Sequence, residues 1–302
     1  MRWTIPGAIA IVVACSASLA AQWPKFQTPG LPRDAKGQAR MDAPTPRTTD
    51  GKPDLSGVWM RADREPLPPE IAKIVGNREQ PAGGVALEPA VEPFPPDPKS
   101  PPVATFFELG ANIPGGLPFT PWAASLRKER MATDSKDNPD ANCLPMGFPQ
   151  FHMQPQPRKI IQTPPLVVIQ YEANYGLRYV YMDGRTLPTQ GDPQPFWYGY
   201  SVGRWDGDTL VVETNNLRGA EQGPFDGWLD VHGSPYSDGT TFVERFRRPF
   251  LGKLEIDVTV ADAKSYTKPF TVRINQRLLP DEEPIEFVCN ENQQFRQRVK
   301  ID

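Results

Sequence analysis

Between residues 254 and 260 apolar and polar side chains alternate without a break. Leu254, Ile256, Val258 and Val260 stand against Glu255, Asp257 and Thr259. A period of two is the pattern of a strand with one buried face. Eight further runs carry β-branched or aromatic residues between turn signals: 159–162, 166–171, 177–182, 198–205, 209–214, 240–247, 270–274 and 285–289. With residues 55–60 they make about ten short strands at regular spacing, which predicts an all-β, antiparallel barrel or sandwich. No β-α alternation is present, so no parallel sheet is expected.

The pattern also predicts registers. In 197–215, Asp206-Gly207 reads as a two-residue hairpin turn. Trp205 then lies opposite Asp208 and Tyr200 opposite Glu213. One face carries Ser201, Gly203, Trp205, Asp208, Leu210 and Val212. Its more apolar middle favours it as the core face, with Tyr200 and Glu213 outside. For 240–260, a two-residue turn near Leu251-Gly252 buries Arg245 and Arg247. A longer turn puts Phe242, Glu244 and Phe246 inside and lets the arginines meet Glu255 and Asp257 outside, which cross-strand ion pairing favours. Glu244 then points inward and must be protonated, ion-paired or hydrogen-bonded. As a raised-pKa carboxyl it is a general acid or base. As a structural group it pairs with Arg178, Arg204 or Arg273.

Upstream, residues 22–52 read as an extended arm, and 53–302 as one domain interrupted by a proline-rich insertion, 61–157. The chain has 37 prolines, and proline neither donates to a ladder nor sits inside a helix. The insertion is expected to wrap the barrel as a belt or close one end as a lid. It contains a polyproline run at 92–98 and one helical stretch, 121–136.

The first 21 residues have one Arg, an apolar run and then small residues, which predicts a secretory signal peptide cut after Ala20 or Ala21. Val12-Val13-Ala14-Cys15 offers a lipidated Cys15 as the alternative. The expected location is therefore periplasmic or secreted, with a membrane partner only if Cys15 is lipidated. Export leaves Cys143 and Cys289, and an oxidising compartment predicts one disulfide between them. Net charge is −3, from 33 basic and 36 acidic residues, without a basic stripe. Nucleic acid is not an expected partner. Arg245, Arg247 and Arg248 form the densest basic spot, expected to pair with carboxylates across strands.

Only two histidines exist, His152 and His232, so a three-histidine zinc site is excluded, and no Cys/His metal pattern appears. No phosphate loop, dinucleotide fingerprint or nucleophile elbow occurs, so no cofactor is expected. The candidate acid–base residues are Glu244, Asp183, Tyr200, Tyr236 and His152. Arg185, Asp238, Trp197, Phe242 and Phe246 are the candidate ligand contacts. Asp183, Arg185, Tyr236 and Asp238 sit in turns expected to line one barrel mouth.

Gly57-Val58-Trp59 resembles the G-x-W of the first strand of lipocalins and other calycin barrels. That resemblance implies a Trp closing one barrel end beneath an Arg from the last strands. Residues 50–59, Cys143-Leu144-Pro145, Asp183-Gly184-Arg185, residues 201–214, residues 244–248 and Cys289-Asn290-Glu291-Asn292 jointly resemble a large, mostly uncharacterised group of secreted proteins from environmental bacteria. That resemblance implies no particular activity. Where those relatives tend to carry His, this chain has Leu187, Tyr200 and Tyr236, which implies altered or metal-free chemistry, or a pure binding role.

The first functional expectation is a barrel that binds a small apolar or aromatic molecule. The second is an acid–base enzyme, a lyase, isomerase or hydrolase, with Arg185 steadying an anion. The third is a structural or assembly factor of the envelope. Convergence of the acid–base candidates on one pocket favours the second, an enclosed apolar cavity the first, and a filled barrel the third.

Overall fold

The computed structural model of the chain describes residues 26–62, 99–191 and 194–289. The expected signal peptide with Cys15, Ala20 and Ala21, the run 92–98 and residues 290–292 lie outside them.

Nine strands close into one barrel in sequence order: β1 Gly57–Arg61, β2 Arg158–Thr163, β3 Leu166–Tyr171, β4 Leu177–Tyr181, β5 Tyr200–Asp206, β6 Thr209–Asn215, β7 Thr241–Phe250, β8 Lys253–Ala261 and β9 Phe270–Leu278. The expected all-β barrel is what forms. One feature of the expectation changes: β4 and β5 run parallel, while each other neighbouring pair is antiparallel. Parity requires it. Directions that alternate round a closed ring of odd number must leave two neighbours alike. The seam is short, with only Val180 opposite Ser201 and Tyr181 opposite Val202.

The expected tenth strand, 285–289, does not form. β1 pairs with one end of β9 and residues 102–104 run beside the rest of that edge, so none of it is left for 285–289 to join. The segment is instead a strap. Glu283 pairs with Lys159, the Ile285 amide donates to Glu172 Oε2 at 2.9 Å, and Cys289 is disulfide-bonded to Cys143.

The β5–β6 register is displaced by two from expectation. Trp205 lies opposite Leu210 and Val202 opposite Glu213, because the turn residues are Gly207 and Asp208. Gly207 takes φ +58°, which suits glycine at the first turn position. A shift of two keeps every side chain on its face, so Ser201, Leu210 and Val212 are buried as expected. In β7–β8, Arg245 stands opposite Asp257 and Arg247 opposite Glu255, with an irregularity before the turn. Phe242, Glu244 and Phe246 all point inward and are buried.

One end is closed by Trp59, fully buried, whose Nε1 donates to Leu55 O at 3.0 Å. The Arg248 guanidinium lies 4.8 Å from its ring and donates to the Leu251, Asp54 and Ser56 carbonyls. This is the Trp-under-Arg arrangement implied by G-x-W, although the Arg comes from β7 rather than the last strands. It also means that Arg248 does not pair across strands, unlike Arg245 with Asp206 and Arg247 with Glu255. The arm packs on this end, where Leu251 and Gly252 amides donate to Ala43 O and Met41 O.

The insertion serves as both belt and lid over 99–157. Residues 102–104 run beside β9, with Ala104 N donating to Arg273 O and Arg273 N to Pro102 O. Helix α1, Pro121–Ala132, is capped by Thr120 and stops short of residue 136, since Asp134 and Ser135 both take φ +53°. The chain then enters the second barrel end as a four-residue helix, α2, Gln150–Met153, whose four residues are all buried. Gly147 permits this entry: a Cβ there would meet the Trp228 carbonyl at 1.9 Å.

Candidate functional site

Two groupings of the expected site residues emerge, one inside the wall and one outside it.

Inside, β7 aims Glu244 at Arg178 of β4. Arg178 Nη1 donates to Glu244 Oε1 at 3.1 Å and Nη2 to Oε2. The guanidinium also reaches Ser201 Oγ at 3.1 Å and Thr214 Oγ1 at 2.9 Å. α2 adds His152, whose Nε2 lies 2.8 Å from Glu244 Oε1. Of the three arginines considered as partners, the fold selects Arg178. The carboxyl is not a raised-pKa acid. Burial pushes its pKa up, but Arg178 and the His152 hydrogen bond outweigh burial and hold it well below the usual range. It therefore accepts, and His152 carries its proton on Nε2. Burial is also the main cause that lowers the His152 pKa to about 4, with Arg178 and Arg158 adding to it against Glu244. The ring is neutral at pH 7, and its buried Nδ1 has no hydrogen-bond partner among the described residues.

Side chains of the lid fill the rest of the interior. The Phe148 ring is 4.1 Å from Phe242 and 4.8 Å from the Arg178 guanidinium, and the His152 ring is 6.0 Å from Phe246. Arg158 of β2 fastens the lid by donating to the His152, Gln154 and Gln156 carbonyls, and Gln276 Nε2 donates to His152 O at 2.9 Å. Tyr171 feels both buried arginines, yet its hydroxyl makes no well-formed hydrogen bond. Side chains at 0–1% exposure meet no substrate. Glu244 and His152 come together, but in a packed core rather than a cleft. Phe242 and Phe246, expected as ligand contacts, are covered by the chain itself.

Outside, the exit of β4 and the start of β5 bring Asp183, Arg185 and Tyr200 together. Arg185 Nη2 is 2.6 Å from Asp183 Oδ2, and Nη1 donates to Tyr200 Oη at 3.0 Å. The guanidinium lies 3.8 Å from the Tyr181 ring, which stacks on Tyr200 at 5.1 Å. The Asp183 hydrogen bond raises the Arg185 pKa and Arg185 lowers that of Asp183, so both are charged at pH 7.

Beside this group a cleft of about 490 Å³ opens between the arm turn at 48–50, the β2–β3 hairpin and the β4–β5 seam. Trp205, Met182 and Val167 supply apolar walls, and Thr48, Asp50 and Arg204 supply polar ones. Gly184, between Asp183 and Arg185, forms part of the same wall. The Lys52 ammonium is 6.0 Å from the Trp205 ring.

The remaining candidates do not join either group as ligand contacts. Tyr236 is buried beside Phe242, and its hydroxyl accepts from the Phe148 amide at 3.5 Å. Asp238 accepts from the Gly219 amide at 2.8 Å and Gln222 Nε2 at 2.7 Å, which ties two loops together. Trp197 stacks under Arg218 at 4.6 Å. The five acid–base candidates thus divide between the core and the outer wall.

Sequence reasoning did not single out Arg158, Trp205 or the arm turn as site residues. Arg158 carries a legible signal. It shares inner parity with Ile160, as Arg178 does with Val180, and a charged residue on a buried face demands a partner. The cleft carries no such signal, because three distant segments build it.

No family model, no curated protein and no solved structure matches the chain.

Proposed function

We propose that this is an exported barrel protein that binds a small molecule with an aromatic or apolar body in the cleft at the arm end of the barrel, between the turn at 48–50, the β2–β3 hairpin and the ends of β4 and β5. The observation that carries this reading is the 490 Å³ cleft against Trp205, a volume within the usual range for small-molecule sites. The Cys143–Cys289 disulfide is compatible with export. Thr48, Asp50, Gln162 and Arg204 line the cleft as polar contacts.

The test is to isolate the protein from the periplasm or medium and identify co-purifying small molecules by mass spectrometry. A bound aromatic compound that is lost on Trp205→Ala supports the reading. A ligand-free protein whose Trp205 environment responds to no aromatic compound removes it. A second reading, a structural or assembly role in the envelope, is favoured by the filled barrel and gains from that negative result. The acid–base alternative is reduced to Asp183 and Tyr200, the two exposed candidates that share Arg185.

A further inference from the structure

We propose that α2 is a releasable plug, and that protonation of His152 at Nδ1 expels it and converts the barrel interior into a binding chamber for a small aromatic molecule carrying a hydrogen-bond donor. This chamber lies at the α2 end of the barrel and the cleft at the arm end, and it does not depend on the cleft.

The wall is complete without the plug. Both Glu244 oxygens are engaged by Arg178, which is itself held by Ser201 and Thr214. Withdrawal of His152 leaves no unpaired charge there. The plug also shows what the chamber accepts: aromatic rings against Arg178 and Phe242, and one N–H donated to Glu244. A free aromatic molecule with an N–H or O–H satisfies the same groups.

The trigger is the orphan Nδ1. In neutral His152 it is a bare lone pair. Once protonated it is a buried charged donor with no acceptor, which is far costlier. The groups that act on the ring are Glu244 from β7, Arg178 from β4 and Arg158 from β2, with the uncharged Tyr171 of β3 beside it. Two cations and one carboxylate already act on the ring, and a third cation enters a space closed to water. Glu244 cannot relieve this by taking the proton, because Arg178 keeps it ionised to lower pH. The plug is the movable part. It belongs to a loop tethered upstream by the Cys143 disulfide and downstream by β2. Its anchor, Arg158, stands on the first residue of β2, at the mouth, where water can replace the carbonyls it releases.

Hydrogen exchange at pH 7 and pH 4, corrected for intrinsic rates, tests the release. Protection of amides 148–156 is expected to fall at least tenfold at pH 4 while β6–β8 stay protected. His152→Gln retains a donor to Glu244 but cannot titrate, so it should stay closed at both pH values. By ¹⁹F NMR, 5-fluoroindole should bind Trp205→Ala, which lacks the aromatic wall of the cleft, at pH 4 and not at pH 7, which separates this chamber from the cleft. If His152→Gln does not fold, ¹⁵N signals of wild-type His152 substitute, and protonation must track opening. Unchanged protection, strands that open together with the plug, a variant that follows wild type, or 5-fluoroindole binding that ignores pH each overturns the proposal.

Discussion

Arg178 and Glu244 face each other across the barrel interior with both carboxylate oxygens engaged, and neither is more than 1% exposed. The pair joins β4 to β7 through space, so it holds together strands that do not touch in the sheet. A buried ion pair is poor evidence of net stabilisation, but removing one member strands the other.

Arg178→Met and Glu244→Gln should therefore each cost about 3–5 kcal/mol. The double replacement should cost clearly less than their sum. Urea unfolding of the four proteins measures this. An additive double variant would show that the two groups are not coupled.

Stability should fall on acidification in two windows. The folded-state pKa of His152 is depressed to about 4 from 6.5. Above pH 6.5 both states are neutral there and stability is full. Below it the unfolded chain binds a proton that the closed fold resists, and roughly 3 kcal/mol is lost by pH 4. Release of the plug caps that loss at the cost of opening. Glu244, also depressed, adds a second loss from pH 4.5 downward. Urea midpoints at pH 7, 5.5 and 4 check this, and His152→Gln should remove the first window.

Trp59→Ala should destabilise by about 3–5 kcal/mol, the range for a large core aromatic. Its ring covers the closed end and carries Arg248, which in turn fastens three carbonyls. Arg248→Lys should also destabilise, because an ammonium cannot spread over a ring and three acceptors at once. Thermal unfolding decides, and a neutral Arg248→Lys would sink this account.

Reduction of Cys143–Cys289 frees a loop spanning 146 residues. Chain entropy gives such a crosslink a worth of about 5 kcal/mol. The reduced protein, or Cys143→Ser, should unfold at lower denaturant and lose protection first in the plug and strap. Hydrogen exchange followed along the chain reads the order.

What alternation can reveal, it revealed. Leu254 to Val260, with Phe242, Glu244 and Phe246 opposite, stated which side of the wall each residue occupies, because a period of two leaves only two choices. Cys143 and Cys289 likewise predicted their own bond. Counting and closure were another matter. Residues 285–289 have strand composition, yet β1 and β9 had already sealed the ring. The parallel seam follows from the odd strand number, which no local pattern contains. The choice of Arg178 for Glu244, the entry of His152 and the covering of Phe242 and Phe246 depend on where a loop of no periodicity ends up. The faces were legible along the chain alone, since each is a property of neighbouring residues. What fills the interior and where a cleft remains came with folding, since those depend on distances between residues far apart in the chain.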